Sequence, residues 1–232
     1  LIIDGKIISA VEEERFTRIK HYAGFPINSI KFCLENSKLS LHNIDYIALN
    51  FDSRYNFFEK LKNSIFKNPI SIIKKLSLSY KKNSIRRILD KNFLSKFSGK
   101  IVYVPHHLSH VASSYLCSGL ESAIGLSIDG SGDFSTSETY LCEKEKITLL
   151  DKVNYPHSLG IFYQAFTQFL GFTNYGDEYK VMGLASYGRP VYADKILKNV
   201  ISYNKKKFKL NLKYFTHHTS EFSYYFENGI PV

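Results

Sequence analysis

Cysteine is scarce in this sequence of 232 residues, and tryptophan is absent. The three cysteines, Cys33, Cys117 and Cys142, lie far apart and form no CxxC pair. Because disulfide scaffolds and thiolate zinc sites require numerous or closely spaced cysteines, the sequence argues against both classes. A reducing compartment, the cytoplasm, is therefore the expected location.

Long apolar runs are also missing. No stretch reaches the roughly 20 apolar residues that a membrane helix needs, and the N-terminus has no charged region followed by an apolar stretch and a cleavage site. The sequence therefore predicts neither a membrane span nor a signal peptide. The single methionine is Met182, so we expect the chain to be a piece of a longer polypeptide.

The composition is that of a globular protein. Hydrophobic residues make up 44% of the chain, aromatic residues 15% and charged residues 22%. These proportions exclude a disordered chain, a collagen-like repeat and a coiled coil. The length allows one large domain or two smaller ones.

The positive charge is concentrated in one segment. The formal net charge is +10, and residues 54–100 hold 13 Lys or Arg against Glu59 and Asp90, which leaves the rest of the chain nearly neutral. Apolar positions at helical spacing predict a basic helical insert at about 54–98, interrupted near Pro69, with its lysines facing solvent. The alternative is that this segment forms a surface for nucleic acid or another anionic partner. Of the two interpretations we favour the solvent-facing helices, and we expect no nucleic acid partner.

Apolar runs bounded by turn residues predict strands that alternate with helices. Leu1–Ile3 and Lys6–Val11, joined by Asp4-Gly5, predict a hairpin. Further strands are predicted at 44–51, 101–104, 123–128, 138–142 and 147–153. Helices are predicted through Ile30 and Leu34 and at 106–117, 158–170 and 177–186, the last two ending near Gly171 and Gly188. The pattern indicates an α/β fold with a mixed sheet and flanking helices.

Histidines in the segment HHLSH predict a metal site. His106 and His110 are four residues apart, which on a helix places both imidazoles on one face, within reach of one metal ion. Asp129 follows an apolar strand and is a natural third ligand, since two imidazoles and a carboxylate suit Fe(II), Mn(II) or Zn(II). The alternative is that histidines at a helix start only cap the helix or form hydrogen bonds.

Glycines in two other segments are candidates for phosphate contacts. In DGSGD, residues 129–133, Gly130 and Gly132 follow a strand and allow backbone N–H groups to approach a phosphate closely, although Asp and Gly clusters are also common in ordinary turns. In the segment 176–188, Lys180 lies one turn into a predicted helix and Gly183 permits close approach. There the alternative is a solvated first turn and a glycine used for helix packing.

Four segments together resemble the NodU/CmcH/TobZ family of O-carbamoyltransferases. They are EEERFTRIKH at 12–21, HHLSHVASS at 106–114, DGSGD at 129–133 and GDEYKVMGLASYG at 176–188. The resemblance covers residues 1–190, with 54–98 the least diagnostic part. It implies an actin/sugar-kinase (ribonuclease H-like) fold, with residues 1–232 forming part of an N-terminal domain. A C-terminal YrdC-like domain, absent from this chain, is also implied.

The resemblance also implies a reaction and roles for individual residues. The YrdC-like domain would make carbamoyl adenylate from carbamoyl phosphate and ATP, and the N-terminal domain would transfer the carbamoyl group to a hydroxyl of a sugar, antibiotic or similar small molecule. His106, His110 and Asp129 would bind an Fe(II)-type metal. Lys20, which spacing alone does not single out, would contact the adenylate or the reacting group. Residues lining the nucleotide would be Lys180, Gly132 and Gly183, with Gly130 beside them. The resemblance is compatible with a homodimer, and the sequence leaves the oligomeric state open.

Parts of the family pattern are missing from this sequence. A general-base histidine in a His-Asp-Ala-Ser-like segment, a fourth metal ligand (an aspartate) and the YrdC-like domain are not present, so we expect the chain by itself to be inactive. One alternative is a TsaD-like enzyme that transfers threonylcarbamoyl to tRNA. Another is a noncatalytic nucleotide-binding or assembly domain. The acceptor is not identified by the sequence.

Overall fold

The computed structural model describes residues 1–67, 82–204 and 207–219. They form two compact units: the described residues of the first lie within Leu1–Leu49 and Ile70–Val102, and those of the second within Asn50–Pro69 and Tyr103–Val232. The predicted helix interruption near Pro69, with the apolar positions Ile72, Ile73 and Leu76, lies outside the described residues.

Helices and strands alternate along the chain. The helices are α1 (Glu14–Thr17), α2 (Ile27–Asn36), α3 (Phe57–Lys67), α4 (Lys82–Asn92), α5 (His106–Tyr115), α6 (Leu159–Phe169), α7 (Glu178–Ala185) and α8 (Ala193–Asn199). The strands are β1 (Ile2–Ile3), β2 (Lys6–Ile7), β3 (Tyr46–Leu49), β4 (Lys100–Tyr103), β5 (Ser122–Gly132), β6 (Ser135–Glu143), β7 (Lys146–Asn154), β8 (Ile201–Asn204) and β9 (Lys207–Leu210).

The first unit begins with the predicted hairpin. β1 and β2 pair antiparallel, and the turn residues Asp4 and Gly5 have φ values of 49° and 75°, in the left-handed region that an Asp-Gly pair accommodates. The second strand is shorter than predicted and ends at Ile7. The core of this unit is formed by buried residues of α2, α4 and the loops beside them: Leu34, Leu41, Leu89 and Phe97.

The second unit is built around the antiparallel sheet β5-β6-β7. Helix α5 packs on one face of this sheet, where the buried core consists of Val111, Tyr115, Tyr140 and Cys142. This packing is close, because a Cβ on Gly125 of β5 would overlap Val111. A second core lies between α6 and the segment 210–215, with Ile161, Ala165, Leu210 and Phe215 buried.

The DGSGD segment differs from its predicted conformation. Instead of forming a turn after a strand, residues 129–132 continue β5, with an irregularity in the pairing between Ile128 and Gly132. The turn falls on Asp133 and Phe134, whose φ values are 51° and 76°. Ladder pairing of Gly132 with Ser135 extends the strand through the glycines, so the turn lies at the end of the segment.

The helix ends agree with the sequence at one glycine and not at the other. Gly171, after α6, has φ 91°, as a left-handed helix cap requires. The prediction for Gly188 is wrong: α7 ends at Ala185 with Ser186 still in the right-handed conformation, and Gly188 has no positive φ. The turn is closed instead by hydrogen bonds from the Tyr187 and Gly188 amides to Leu184 and Ala185.

The described residues contain both helices and strands, which confirms the α/β class. The predicted single mixed sheet is not found, because the described strands form four small sheets. Within the expected insert at 54–98, α3 belongs to the second unit and α4 to the first; the insert itself stays a prediction. None of the helices in the described residues is long and apolar enough to cross a membrane.

Candidate metal centre

Helix α5 places two histidines side by side. The helix begins at His106 directly after Pro105, a residue that cannot donate a hydrogen bond and often precedes or opens a helix. One turn later, His110 brings its Nε2 atom to 3.0 Å from Nε2 of His106. The spacing of four residues therefore has the effect that the sequence predicted.

Strand β5 brings a carboxylate to the same place. Asp129 Oδ2 lies 2.8 Å from His106 Nε2 and 3.5 Å from His110 Nε2. Asp129 Oδ1 accepts a hydrogen bond of 2.6 Å from the backbone N–H of Gly130, which fixes the carboxylate orientation. In the described part of the chain, this is the one group of three or more potential metal ligands, with ligand atoms within 4.8 Å of one another.

The donor set and its dimensions fit a divalent metal ion. For metal–ligand bonds of about 2.1 Å, two ligand atoms stand about 3.0 Å apart at a right angle and about 3.4 Å apart at the tetrahedral angle. The three observed separations are 2.8, 3.0 and 3.5 Å. Two imidazoles and one carboxylate on one face of an ion are typical ligands of Fe(II) and also suit Zn(II) and Mn(II). These residues could therefore hold such an ion.

Electrostatics keeps the carboxylate ionised. The hydrogen bond with His106 lowers the pKa of Asp129 to about 2, helped by the Gly130 amide and by the nearby histidines, while burial acts in the opposite direction. The same bond raises the pKa of His106, against the effect of burial. The Asp129 carboxyl is therefore ionised at neutral pH, and a proton would compete with any metal ion for His106.

A glycine leaves the space that the His106 ring occupies. The backbone of Asn50 contributes to the raised pKa of this histidine. A Cβ at position 132 would overlap the His106 ring. Gly132 therefore makes space for a histidine, a role that sequence reasoning did not identify.

Helix α6 supports Asp129 from behind. The Ser158 hydroxyl donates a hydrogen bond of 3.0 Å to the Asp129 carbonyl and accepts one of 3.0 Å from the Ile161 amide. A Cβ on Gly160 would come within 2.8 Å of the Asp129 carbonyl oxygen. The serine was visible in the sequence as a helix start, but nothing in the sequence indicates that the helix touches the aspartate strand.

Comparison with known proteins assigns the chain to a family. The family described as carbamoyltransferase N-terminus matches residues 1–224. The chain belongs to this carbamoyltransferase family. The resemblance inferred from the four sequence segments is thereby confirmed.

Relatives come from bacteria and archaea. An uncharacterized protein of Synechocystis sp. is 34% identical over 231 residues, which cover 94% of this chain and 37% of the relative. Nodulation protein NolNO of Sinorhizobium fredii is 36% identical over 192 residues, or 82% of this chain and 27% of the relative. An uncharacterized protein of Methanocaldococcus jannaschii is 32% identical over 189 residues, which cover 81% of this chain and 30% of the relative. The chain spans about a third of the length of these relatives.

The candidate nucleotide residues of this carbamoyltransferase-family chain lie in the second unit. Lys180, on α7, forms an ion pair of 2.7 Å with the buried Asp177, and its ammonium lies 5.8 Å from the Phe172 ring centroid. A Cβ on Gly130 or Gly183 would meet nothing within 4 Å, so both positions have open space beside them. A nucleotide-binding role for these residues stays a prediction.

The EEERFTRIKH segment lies in the first unit. Lys20 follows α1, next to His21, whose amide donates to Glu14 at 2.9 Å; a role for Lys20 in the reaction stays a prediction. Glu13 has a structural role that spacing did not indicate, because its carboxylate accepts hydrogen bonds from the first turn of α2. Its partners are 15 and 16 residues away, so no local pattern could have identified them.

Proposed function

We propose that this chain is the carbamoyl-transferring part of an O-carbamoyltransferase. The reaction moves a carbamoyl group from carbamoyl adenylate, formed from carbamoyl phosphate and ATP, to a hydroxyl of a sugar, antibiotic or similar small molecule. One observation carries the proposal: His106, His110 and Asp129 converge within 4.8 Å in a chain of the carbamoyltransferase N-terminus family.

In this proposal, His106, His110 and Asp129 would hold a divalent ion of the Fe(II) type, and the Asp129 carboxylate would offset part of its charge. Bound there, the ion supplies a Lewis acid for a carbonyl or phosphate oxygen. The chain's own part is to present two imidazoles and one ionised carboxylate in a fixed arrangement. The low pKa of Asp129 supports this, because the carboxylate needs no deprotonation before it binds a metal.

In the proposed transfer, one bond forms and one bond breaks at the carbamoyl carbon. The acceptor hydroxyl oxygen forms a bond to the carbamoyl carbon, the bond from that carbon to the adenylate oxygen breaks, and AMP leaves while the hydroxyl proton passes to a base. The cationic Lys20 offsets charge on the leaving AMP. Lys180 binds the nucleotide phosphate beside Gly130, Gly132 and Gly183. The Lys180 side chain is about one-third exposed, so its ammonium can contact a phosphate while Asp177 orients it.

The proposal extends to the rest of the protein. Two supporting facts are the family match and relatives about three times as long as this chain. We propose an actin/sugar-kinase type of fold for the complete N-terminal domain, a YrdC-like domain that supplies carbamoyl adenylate, a cytoplasmic location and a homodimer. Because one relative is named a nodulation protein, nodulation-factor-type sugars belong among the acceptors to be tried.

The test is an assay of the full-length protein with carbamoyl phosphate, ATP and a panel of sugar and antibiotic acceptors, with carbamoylated product measured by mass spectrometry. His110→Ala should lower the rate by about 100-fold or more, since Lewis-acid stabilisation is worth several kcal/mol. Metal analysis should show loss of the bound ion in the same folded variant. His42→Ala is the matched control and should retain activity, because this histidine is exposed and forms hydrogen bonds with the neighbouring Ser40 and Asn43.

Two results would contradict this function. Unchanged carbamoyl transfer by His110→Ala would remove the metal centre from the reaction. Modification of tRNA, with no product from any small acceptor, would favour the threonylcarbamoyl-transfer alternative.

A further inference from the structure

Two polar contacts join the first turn of helix α5 to residues on either side of Asp129. His107 Nδ1 lies 2.7 Å from the hydroxyl oxygen of Ser127, two residues before Asp129. The backbone amide of His106 donates a hydrogen bond of 3.0 Å to Asp133 Oδ2, four residues after Asp129. The first turn of α5 is therefore attached on both sides of the aspartate.

His107 occupies a buried position where an apolar side chain would cost less free energy to bury. It is 1% exposed and lies on the face of α5 that also buries Val111 and Tyr115. Its second nitrogen, Nε2, is buried without a hydrogen-bond partner. Burying a polar atom without a partner costs free energy, so packing alone does not account for a histidine here.

The bond between His107 and Ser127 has a property that apolar packing lacks. A hydrogen bond is strong only within a narrow range of distance and angle, whereas apolar surfaces can slide past one another at small cost. This bond therefore restrains both the position of α5 along β5 and its rotation.

That restraint bears directly on the metal ligands. His106 and His110 come from α5, while Asp129 comes from β5. The three ligand separations span only 2.8 to 3.5 Å, so a displacement of the helix by about 1 Å would bring them outside the range that one ion can bridge. Ser127 and His107 are each within two residues of a ligand on the same element, which makes them an effective place to restrain it.

We propose that His107 and Ser127 form a positioning pair that holds the imidazoles of α5 at metal-binding distance from the Asp129 carboxylate. This inference rests on the proposed function, because it takes the three ligands to form a metal centre. The pair itself does not contact the ion.

Cobalt(II) binding to the full-length protein tests the proposal. The protein is prepared without metal and titrated with Co²⁺ alone, and the dissociation constant and the visible absorption spectrum are measured. The signal of this site is the part that His110→Ala removes. His107→Leu and Ser127→Ala should each raise the dissociation constant by about 10-fold to 100-fold, the usual effect of removing a group that orients a metal ligand, and should alter the spectrum.

A double variant and a rescue variant distinguish a positioning role of His107 and Ser127 from a general loss of packing. The double variant should bind cobalt about as weakly as either single variant, because both substitutions remove the same bond. His107→Asn should recover part of the affinity, since its amide can reach a position close to that of Nδ1. The matched control is Val111→Ala, on the same helix and 2% exposed, which should lose folding stability and keep the parent's dissociation constant and spectrum.

Each outcome decides between the two hypotheses. If His107→Leu and Ser127→Ala bind cobalt with the parent's affinity and spectrum, the positioning role is wrong and the metal centre stands. If the cobalt signal of the parent persists in His110→Ala, the metal centre itself is wrong and the positioning role falls with it. Should His107→Leu not fold, Ser127→Ala, which removes a single oxygen atom, gives the decision.

Discussion

At the scale of single residues, Glu13 provides the N-terminal capping of a helix that begins 14 residues later. The residue is 8% exposed. Oε2 accepts hydrogen bonds from the amide and hydroxyl of Ser29 at 2.8 and 2.9 Å, and Oε1 accepts two from Asn28 at 3.2 and 2.7 Å. Amides in the first turn of α2 have no partner within the helix, so the carboxylate supplies what a capping side chain otherwise would, with a charge that suits the helix dipole.

Glu13→Gln should destabilise the first unit in a pH-dependent way. Burial raises the pKa of Glu13, but the hydrogen bonds from Ser29 and Asn28 lower it below its usual value of 4.5. A lowered pKa in the folded state adds stability that is present above pH 4.5 and is lost as the pH falls through the folded-state pKa. We expect a loss of about 1–2 kcal/mol in the free energy of unfolding at pH 7, shrinking below pH 4.5.

Urea unfolding followed by circular dichroism at a series of pH values measures this difference. Glu12→Gln is the control, because the Glu12 side chain is 73% exposed and should contribute little. A difference between Glu13→Gln and the parent that stays constant from pH 7 to pH 3 would show that the charge is not what matters.

Two glycines of the DGSGD segment should respond differently to an added methyl group. A Cβ at Gly132 would overlap the His106 ring, whereas a Cβ at Gly130 would meet nothing within 4 Å. Neither residue has a positive φ, so backbone strain does not enter. Gly132→Ala should displace the imidazole and weaken cobalt binding by about 10-fold or more, while Gly130→Ala should keep the parent's dissociation constant. Equal affinities for the two variants would contradict the packing of Gly132 on His106.

At the scale of secondary-structure elements, the start of α6 is tied to the end of β5. Ser158 is fully buried, caps α6 through the Ile161 amide and donates to the Asp129 carbonyl. Ser158→Ala should lower the free energy of unfolding by about 1–2 kcal/mol, since it removes a helix cap and leaves a buried carbonyl without this donor. Thermal unfolding by circular dichroism measures the loss. Ser113→Ala, on the exposed side of α5, is the control, and a Ser158→Ala melting curve that overlaid the control's would refute the cap.

The contact between α5 and β5 leaves no space at Gly125. A Cβ there would overlap Val111, so Gly125→Ala should cost about 1–3 kcal/mol through overpacking. Combining it with Val111→Ala should cost less than the sum of the two single substitutions, because the smaller side chain makes room for the added methyl group. Chemical denaturation of the two single variants and the double variant gives the comparison. Additive losses would mean that the two residues do not meet.

At the scale of the whole molecule, the distribution of charge bears on the tRNA alternative. Residues 54–100 hold 13 basic and 2 acidic side chains and so carry a net charge of +11, whereas the rest of the chain carries −1. A solvated basic segment attracts any polyanion through counterion release, without sequence preference. We therefore expect the full-length protein to bind tRNA weakly, no better than an unrelated RNA of equal length, and to lose most of this binding by about 0.2 M salt.

Fluorescence anisotropy with labelled tRNA, and with the unrelated RNA as control, measures both the affinity and its salt dependence. Tight binding that prefers tRNA and persists at that salt concentration would favour the tRNA-modifying alternative over transfer to a small molecule.

The sequence by itself determined the features that depend on neighbouring residues. Asp4-Gly5 predicted the first hairpin, Ser158 and Gly171 marked the two ends of α6, and the spacing of His106 and His110 predicted adjacent imidazoles. Each of these rests on the conformational preference of a few residues or on the periodicity of one helix. Such preferences act over a few residues and can be recognised without knowledge of the rest of the chain.

Only the tertiary structure decided the features that join distant segments. In the tertiary structure, Glu13 caps the start of α2, and Gly132 leaves space for the His106 ring. His107 forms a hydrogen bond with Ser127. Strand β5 continues through a segment whose composition predicted a turn. The residues in each contact are separated by many positions, and each partner alone has several equally acceptable conformations. Packing selects one of them because buried polar atoms must find partners and buried volumes must not overlap.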